Sequence, residues 1–232
     1  MDARDGDGST EEYETLIQTT DVELLKRAWR QEKAAPEILK FETDLIARLT
    51  GQIELVEENV EQDAQSGIDP LTVSLYQMDL DRSQFLLRSY LRIRLQKIEK
   101  YIFHILATAE LYNRLSKQEK AFAKTCLVDL EKHLEESVLS KLPSNYQSIF
   151  KQSMISEEND MVAKPQLDTF VVCKTNYYLG HIQLEDNEDG PSDDRANQRP
   201  LEEPFEMEPD VLYFVRYKAI KRFVEEGRID LF

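Results

Sequence analysis

The longest stretch without a helix-breaking residue sets the strongest constraint on how this chain can fold. Residues 71–106 contain neither glycine nor proline, and as one helix these 36 residues would span about 54 Å. This segment carries two apolar stripes. One stripe is enough to pack a surface helix, whereas two stripes predict contacts on two sides of the helix. We therefore expect this helix to lie at the centre of its own bundle or in an interface with another chain. The first stripe comprises Leu87, Leu91, Leu95, Ile98, Ile102 and Ile105, and the second comprises Leu86, Tyr90, Ile93 and Tyr101.

Two helical patterns precede this segment. Thr20 is suited to cap a helix that ends near Lys33. Pro36 is suited to be the first residue of the next helix, because proline fits the first helical position. Apolar residues then recur at intervals of three and four up to Gly67, where the pattern ends.

A further helix follows the long segment. Ser116 and Glu119 have the spacing of a capping box, and the helix that they start should end before Pro143. The sequence therefore predicts a helical A domain of about five helices over residues 20–150. Residues 1–19 are rich in Gly, Asp and Glu, which predicts a disordered acidic tail.

After Pro165 the hydrophobic pattern changes to the period of a β-strand. We predict a linker over 151–163 and a small β-rich B domain over 164–232, so that the fold class is α+β. Without its acidic loop, residues 185–210, this module has only about 43 residues, a size at which a single core is marginal. It should therefore pack against the helical domain or against another protein. The predicted elements are strands at 170–173, 178–184, 211–217 and 228–232 and a helix at 219–226.

The charge is unevenly distributed. Of the net charge of −16, residues 1–14 and 185–210 together hold −14, so the rest of the chain is nearly balanced. Such a chain is a poor free-standing DNA binder, because affinity for phosphate backbones comes from Lys and Arg. Seven glycines in 232 residues argue against a Gly-rich nucleotide-binding fold.

No segment predicts a membrane span, since no apolar run approaches 18 residues. The residues after Met1 do not resemble a basic-then-apolar leader. The two cysteines, Cys126 and Cys173, have neither metal-ligand nor redox spacing. These features predict a reduced intracellular compartment and no cofactor.

Enzyme motifs are largely absent from the sequence: it contains no G-x-S-x-G, Walker loop, H-E-x-x-H or C-x-x-C. His104 and His133 leave one alternative open, a metal site completed by Glu110 and Glu136, although surface or core histidines are far commoner. Adjacent carboxylates such as Glu135 and Glu136 are typical of solvated helix faces. We therefore expect no catalytic residues.

One positively charged cluster lies on the long helix. Its members fan around the helix axis at 100° per residue, so they form no single stripe. Pairing with nearby acids is the simplest interpretation, ahead of holding acidic groups of a partner subunit and of direct DNA contact. The cluster comprises Arg88, Arg92, Arg94, Lys97 and Lys100.

Three stretches resemble a known family. Residues 28–39 read AWRQEKAAPEIL, residues 89–101 read SYLRIRLQKIEKY, and residues 215–232 read VRYKAIKRFVEEGRIDLF. They are similar, in this order, to the Sld-five family of GINS complex subunits, which act in eukaryotic DNA replication in the nucleus. The acidic loop 185–210 is longer and more charged than the family pattern, so no role is carried over to it.

The resemblance implies a non-catalytic structural subunit. Such a subunit joins three paralogous partners, Psf-one, Psf-two and Psf-three, in a 1:1:1:1 tetramer. The tetramer associates with Cdc-forty-five and the MCM ring to form the replicative CMG helicase, which is required for initiation and elongation of chromosomal replication. The resemblance also implies contacts with other replisome proteins, and any contact with DNA would be at most indirect.

Fifteen residues are the predicted subunit contacts. Most are carried over from the matching motifs; Trp29, Leu87 and Tyr101 join them because Trp is favoured at interfaces and the two stripes predict contacts on two sides. They are Trp29, Leu87, Tyr90, Leu91, Arg92, Arg94, Leu95, Ile98, Tyr101, Arg216, Tyr217, Ile220, Ile229, Leu231 and Phe232.

The sequence also allows a second function, that of an acidic binder of basic proteins. The acidic segments 1–14 and 185–210 are also typical of chaperone-like proteins that bind histones or other basic proteins. Deleting both segments separates the two hypotheses, because a structural subunit should survive the deletion and an acidic binder should not.

Overall fold

The computed structural model describes residues 20–153, 155, 159, 161–175, 177–179, 181–182 and 205–232. It has the predicted α+β architecture, with an N-terminal helical bundle and a small antiparallel sheet near the C-terminus. The predicted tail 1–19 and most of the loop 185–210 lie outside the described residues. The predicted domain boundaries stay predictions.

Seven α-helices occur in the described residues, and two short 3₁₀ turns, Leu139–Lys141 and Ser144–Tyr146, follow the sixth helix. The helices are α1 (Asp21–Ala34), α2 (Thr43–Ser66), α3 (Pro70–Lys100), α4 (Ile102–Ala107), α5 (Ala109–Asn113), α6 (Lys117–Ser137) and α7 (Tyr217–Glu225).

The strands in the same residues form two sheets. β1, β4 and β5 form an antiparallel three-stranded sheet in the order β4-β1-β5, and β2 pairs with β3 in a two-stranded sheet. In the register, Val172 lies opposite Phe214 and Lys174 lies opposite Asp230. The strands are β1 (Phe170–Thr175), β2 (His181–Ile182), β3 (Phe205–Glu206), β4 (Leu212–Arg216) and β5 (Ile229–Leu231).

Helix ends follow the predicted local chemistry. Gly67, with φ 82°, caps the C-terminus of α2 in the left-handed conformation that glycine adopts without steric cost. Gly227, with φ 72°, performs the same turn after α7. At the start of α6, Ser116 accepts a hydrogen bond from the backbone of Glu119, whose side chain accepts one from the backbone of Ser116. The predicted capping box is thus confirmed.

Three local predictions are wrong in whole or in part. Pro36 does not begin a helix, since residues 35–42 are non-helical and α2 begins at Thr43. The long helix also does not continue through Tyr101, where φ −117° and ψ 26° interrupt it between α3 and α4. Within the predicted 178–184 strand, Tyr178 and Leu179 lie outside any strand, His181–Ile182 form β2, and residues 180, 183 and 184 lie outside the described residues.

The chain divides into two compact units. The described residues of the first are 20–29 and 41–93, and those of the second are 30–40 and the described part of 94–232. The first unit has one core, whose buried residues are Leu25, Leu45, Leu49, Leu86 and Tyr90.

The second unit contains two cores. One lies among the helices and is built from Ile38, Ile98, Ile105, Leu111, Leu115 and Ala123. The other lies between the three-stranded sheet and α7 and includes Val171, Cys173, Met207, Val215, Tyr217, Ile220, Val224, Ile229 and Leu231. Ala35 also belongs to the sheet core, although it lies more than 130 residues earlier in the sequence. At the end of the predicted acidic loop, Phe205–Glu206 form β3, and Met207, which follows them, lies in this core.

Candidate functional site

The fifteen predicted contact residues fall into three groups by exposure. Seven are buried within the chain, five are half-buried, and three are exposed. The buried ones are Tyr90, Arg94, Ile98, Tyr217, Ile220, Ile229 and Leu231. The half-buried ones are Trp29, Leu87, Leu91, Leu95 and Tyr101, and the exposed ones are Arg92, Arg216 and Phe232.

In the first unit, the predicted contacts pack around the core of that unit. The Trp29 indole donates a hydrogen bond to Ser89 Oγ at 3.0 Å, which fixes the ring against α3. Leu87 and Leu91 pack against the core that contains Tyr90. These side chains therefore contribute to the unit's own stability as well as to any surface they share with a partner.

Arg94 lies at the centre of a buried charge network in the second unit. Its side chain is fully buried, and its guanidinium forms a two-point ion pair with Glu119 at 2.7 and 3.1 Å. Its Nη1 also donates to Glu32 Oε2 at 2.9 Å and to the Leu39 carbonyl at 2.8 Å. A planar guanidinium suits this arrangement, because its five donors can bind several acceptors at once.

Lys97, one turn later on α3, extends the network. Its ammonium group donates to Glu32 Oε1 and to the Glu37 carbonyl, both at 2.8 Å, and also to the Glu32 carbonyl. Burial lowers the pKa of Lys97, while the neighbouring Glu32 carboxylate opposes that shift. The ammonium therefore gives up water and gains three protein acceptors.

These contacts explain why residues 35–42 are not helical. The carbonyl of Glu37 accepts from Lys97, that of Ile38 accepts from Arg114 at 3.1 Å, and that of Leu39 accepts from Arg94. In a helix, the same carbonyls would be used by the backbone four residues later. Tertiary hydrogen bonds from basic side chains replace the local ones.

Glu37 joins residues 30–40 to α7. Its carboxylate is buried and accepts a hydrogen bond from the Tyr217 hydroxyl at 3.1 Å. It also pairs with Lys221 at 3.0 Å and with Arg114 at 3.4 Å. Burial raises the pKa of Tyr217 well above its usual range, and the adjacent Glu37 carboxylate raises it further. Tyr217 is therefore a hydrogen-bond donor at all physiological pH values.

Other contacts also attach the C-terminal module to earlier residues of the chain. Arg114 pairs with Glu225 on α7 at 2.6 Å, and Gln31 donates to Asp230 on β5 at 2.8 Å. The Arg30 guanidinium lies 4.8 Å above the centre of the Phe232 ring. The small C-terminal module thus packs against residues 30–40 of the same chain. Its small size predicted packing either against another part of this chain or against another protein, and the first arrangement is present.

An exposed apolar stripe lies on the N-terminal half of α3. Leu71, Leu75, Met78 and Phe85 each leave 54–66% of their surface exposed. At 100° per residue, the four positions fall within about 80° of one another around the helix. Leu80, on the opposite side of the helix, is buried.

Sequence reasoning did not select this stripe. Its spacing of four, three and seven residues is visible in the sequence, but it looks the same as the spacing of a core-facing stripe. Only the position of Leu80 and of the first unit's core distinguishes the exposed face from the buried one. Two further residues of this unit on α2, Leu55 and Val56, are also exposed.

A second apolar surface is the outer face of the three-stranded sheet. Phe170 and Val172 on β1 alternate with buried residues, and so does Phe214 on β4. The Phe170 and Phe214 rings stack with centres 5.0 Å apart, and the Arg216 guanidinium lies 5.7 Å above Phe170. Antiparallel sheets commonly present a polar outer face, so an aromatic one marks a surface suited to association.

Two further features bear on function. No helix within the described ranges is both long and apolar enough to cross a membrane. Across the same ranges, the His, Cys, Asp and Glu side chains form no group of three placed to hold a metal ion.

The sequence matches two family models. Residues 52–138 match the model for the GINS complex protein helical bundle domain, and residues 165–232 match the model for the C-terminus of DNA replication complex GINS protein SLD5. The second match covers the sheet, α7 and the motif that ends at Phe232.

Individual proteins match over nearly their whole length. A protein of Arabidopsis thaliana named DNA replication complex GINS protein SLD5 is 58% identical, over 97% of this chain and 96% of its own. The Homo sapiens protein of the same name is 30% identical over 98% and 96% of the two chains. The Dictyostelium discoideum protein of that name is 27% identical over 95% and 98%.

Proposed function

Because this chain belongs to the SLD5 family of DNA replication complex GINS proteins, we propose that it is a non-catalytic structural subunit of a GINS complex. In this proposal it joins three paralogous subunits in a 1:1:1:1 tetramer that acts in the nucleus. The tetramer in turn joins Cdc-forty-five and the MCM ring in the replicative helicase, for initiation and elongation. Its contact with DNA is at most indirect.

The observation that carries this proposal is the exposed stripe on α3. Four large apolar side chains on one side of a long helix expose surface whose burial is favourable by roughly 25 cal/mol per Å². A partner helix that packs ridges into grooves along this stripe would bury all four at once. We therefore assign the stripe to a helix of a neighbouring subunit.

The outer face of the sheet provides a second contact in the proposal. Its aromatic pair, Phe170 and Phe214, has the composition that interface centres favour, and Arg216 lies beside it. Among the predicted contacts, the accessible Arg92, Arg216 and Phe232 are the ones proposed to touch partners directly. The seven buried ones are proposed to stabilise the unit in which each of them lies.

The proposal is tested by co-expressing this chain with the three other GINS subunits and measuring mass by light scattering on a sizing column. A stable particle with one copy of each subunit is the expected result. A monodisperse monomer that joins none of the three would overturn the proposal and would favour an acidic binder of basic proteins.

A further inference from the structure

A pocket in the second unit lies where the C-terminal half of α6 meets the two 3₁₀ turns that follow it. It has a volume of about 450 Å³, within the range of small ligand sites. The structure describes every residue from 131 to 150, the stretch that contributes this lining, and the assembly proposal uses none of them. The principal lining residues are Glu131, Glu135, Leu139, Gln147, Ile149 and Phe150.

One part of the lining is acidic. Glu131 and Glu135 lie one turn apart on α6, so their side chains are neighbours on the helix surface. Neither carboxylate forms an ion pair with any described residue. The lysines nearest in sequence, Lys132, Lys141 and Lys151, do not line the pocket. Both carboxylates are therefore available to a cation that comes from outside the chain.

The position of these acids on α6 is unfavourable for the helix itself. The C-terminal end of a helix carries partial negative charge on its free carbonyl groups, so acidic side chains there destabilise it. The last turn of α6 contains Glu135 and Glu136 and no basic residue. Local sequence choices that oppose stability are expected at functional sites. A bound cation would compensate this charge.

The other principal part of the lining is apolar. Leu139 and Ile149 are half-buried, and Phe150 leaves 40% of its surface exposed. The Phe150 ring is held edge to face against Phe103, with ring centres 5.3 Å apart. An aliphatic chain could therefore pack beside the carboxylates without moving this ring.

Hydrogen bonds fix the loop that carries the apolar residues. Ser148 Oγ accepts from the backbone nitrogens of Phe150 and Lys151, both at 3.2 Å. Gln147 Nε2 donates to the Leu142 carbonyl at 2.8 Å, which leaves the amide oxygen of Gln147 as an acceptor. The pocket is thus formed before a ligand binds, and its polar groups include a neutral acceptor.

We propose that this pocket binds an arginine side chain from a short segment of a partner protein in which aliphatic residues flank the arginine. The guanidinium pairs with Glu131 and Glu135, and its five donors can bind more acceptors than a lysine ammonium group can. The aliphatic stem and the flanking residues pack against Phe150 and its apolar neighbours.

Two other ligand classes fit less well. Carboxylates repel the phosphates of a nucleic acid, which needs Lys and Arg. A metal ion needs several ligands close together, and among the described residues no three His, Cys, Asp or Glu side chains are placed to hold one. Charge complementarity and the apolar lining thus favour a basic peptide.

Binding is measured by fluorescence anisotropy on the full chain at physiological ionic strength. The probe is a labelled peptide with one arginine between two leucines. Two matched peptides replace the arginine with citrulline, which has the same shape without the charge, or the leucines with serines. Spermidine serves as a competitor, because a chain of net charge −16 attracts any cation. We expect each matched peptide to bind at least about tenfold more weakly, with no displacement by an equal concentration of spermidine.

Variants locate the site. Glu131→Gln and Glu135→Gln should each weaken binding of the probe by about three- to tenfold. Glu57→Gln, which removes an exposed carboxylate on α2 and changes the net charge equally, should leave binding unchanged. Because the charge of Glu135 opposes the helix dipole, Glu135→Gln should unfold at the same or a higher urea concentration than the wild type. A loss of binding would then not result from unfolding.

Several results would overturn the proposal. One is equal binding of the arginine and citrulline peptides, or of the leucine and serine peptides. Another is displacement by spermidine, or a Glu57→Gln variant that binds as weakly as Glu135→Gln, since either would identify a general attraction of cations to an acidic chain. Amide resonances of residues 139–150 that do not shift when the peptide is added would place it elsewhere.

Discussion

The Arg94 guanidinium and the Glu119 carboxylate form two parallel hydrogen bonds, 2.7 and 3.1 Å long, in the interior of the second unit. The same Glu119 side chain accepts a hydrogen bond from the Ser116 backbone at 2.8 Å. One carboxylate therefore completes the capping box of α6 and also binds the arginine on α3. Through Arg94, the network continues to Glu32 on α1.

Replacing Arg94 with methionine should destabilise the chain strongly. The change leaves Glu32 and Glu119 buried without their cation, and removing one partner of a buried pair costs about 3–5 kcal/mol. Urea unfolding measures the loss. Arg92→Met, two residues away on the exposed side of α3, is the matched control and should change stability little. Equal losses in the two variants would contradict a structural role for the network.

Replacing Glu37 with glutamine should loosen the C-terminal module. Glutamine keeps the size of the side chain but removes the charge that pairs with Lys221 and Arg114. Hydrogen exchange should accelerate across α7 and stay unchanged in α2. Glu110→Gln, an exposed neighbour that also pairs with Arg114, should have little effect on either helix. Unchanged exchange in α7 would show that Glu37 does not hold the module in place.

Substitutions of two adjacent residues on β4 should distinguish an effect on association with partners from an effect on the stability of the chain. Phe214→Ser should weaken co-purification with the GINS partners while changing the chain's own free energy of unfolding by less than about 1 kcal/mol, because the ring is 66% exposed. Val215→Ser, on the buried face, should cost about 2 kcal/mol or more through lost burial and an unpaired hydroxyl. The assignment of the outer face fails if Phe214→Ser assembles like the wild type.

Cys173 gives a prediction about pH. Burial raises the pKa of its thiol from 9.0 to about 11. The folded state holds this proton more tightly than the unfolded state does. The contribution of the protonated thiol to the free energy of unfolding is therefore fully present below pH 9 and is lost as pH rises through 11. Comparing the wild type with Cys173→Ala should show a steeper loss of stability for the wild type between pH 9 and 11. Parallel curves would mean that the thiol titrates normally.

Reactivity provides a second check on the same residue. Half-buried Cys126 should react with iodoacetamide at pH 8 faster than fully buried Cys173, as mass spectrometry of the two peptides would show. Equal labelling would indicate that the sheet core opens readily.

The elements that the sequence predicted well are those set by local chemistry. The Ser116–Glu119 capping box, the end of α2 at Gly67 and the strands of the C-terminal motif depend on residues close together in the chain. Each appears in the structure at the expected place. The α+β class follows from the same patterns, since the hydrophobic period changes near Pro165.

The wrong predictions occur where side chains distant in the sequence determine the backbone conformation. Pro36 has the local preference of a helix start, but Lys97, Arg114 and Arg94 take the carbonyls of the residues that follow it. Arg94 itself stands in the sequence among exposed-looking charges such as Arg92. Neither its burial nor its pairing with Glu119 is visible until α1, α3 and α6 come together.

The exposed stripe on α3 tests the central claim most directly. Leu75→Glu combined with Met78→Glu places two charges on it, and Gln84→Glu, about 140° away from Leu71 around the helix, is the matched control. Each chain is co-expressed with the three GINS subunits and its mass is measured by light scattering. We predict that the double variant folds but is missing from the tetramer, while the control assembles fully. A double variant that enters the tetramer with normal stoichiometry and stability would contradict the assignment of this stripe as a subunit interface.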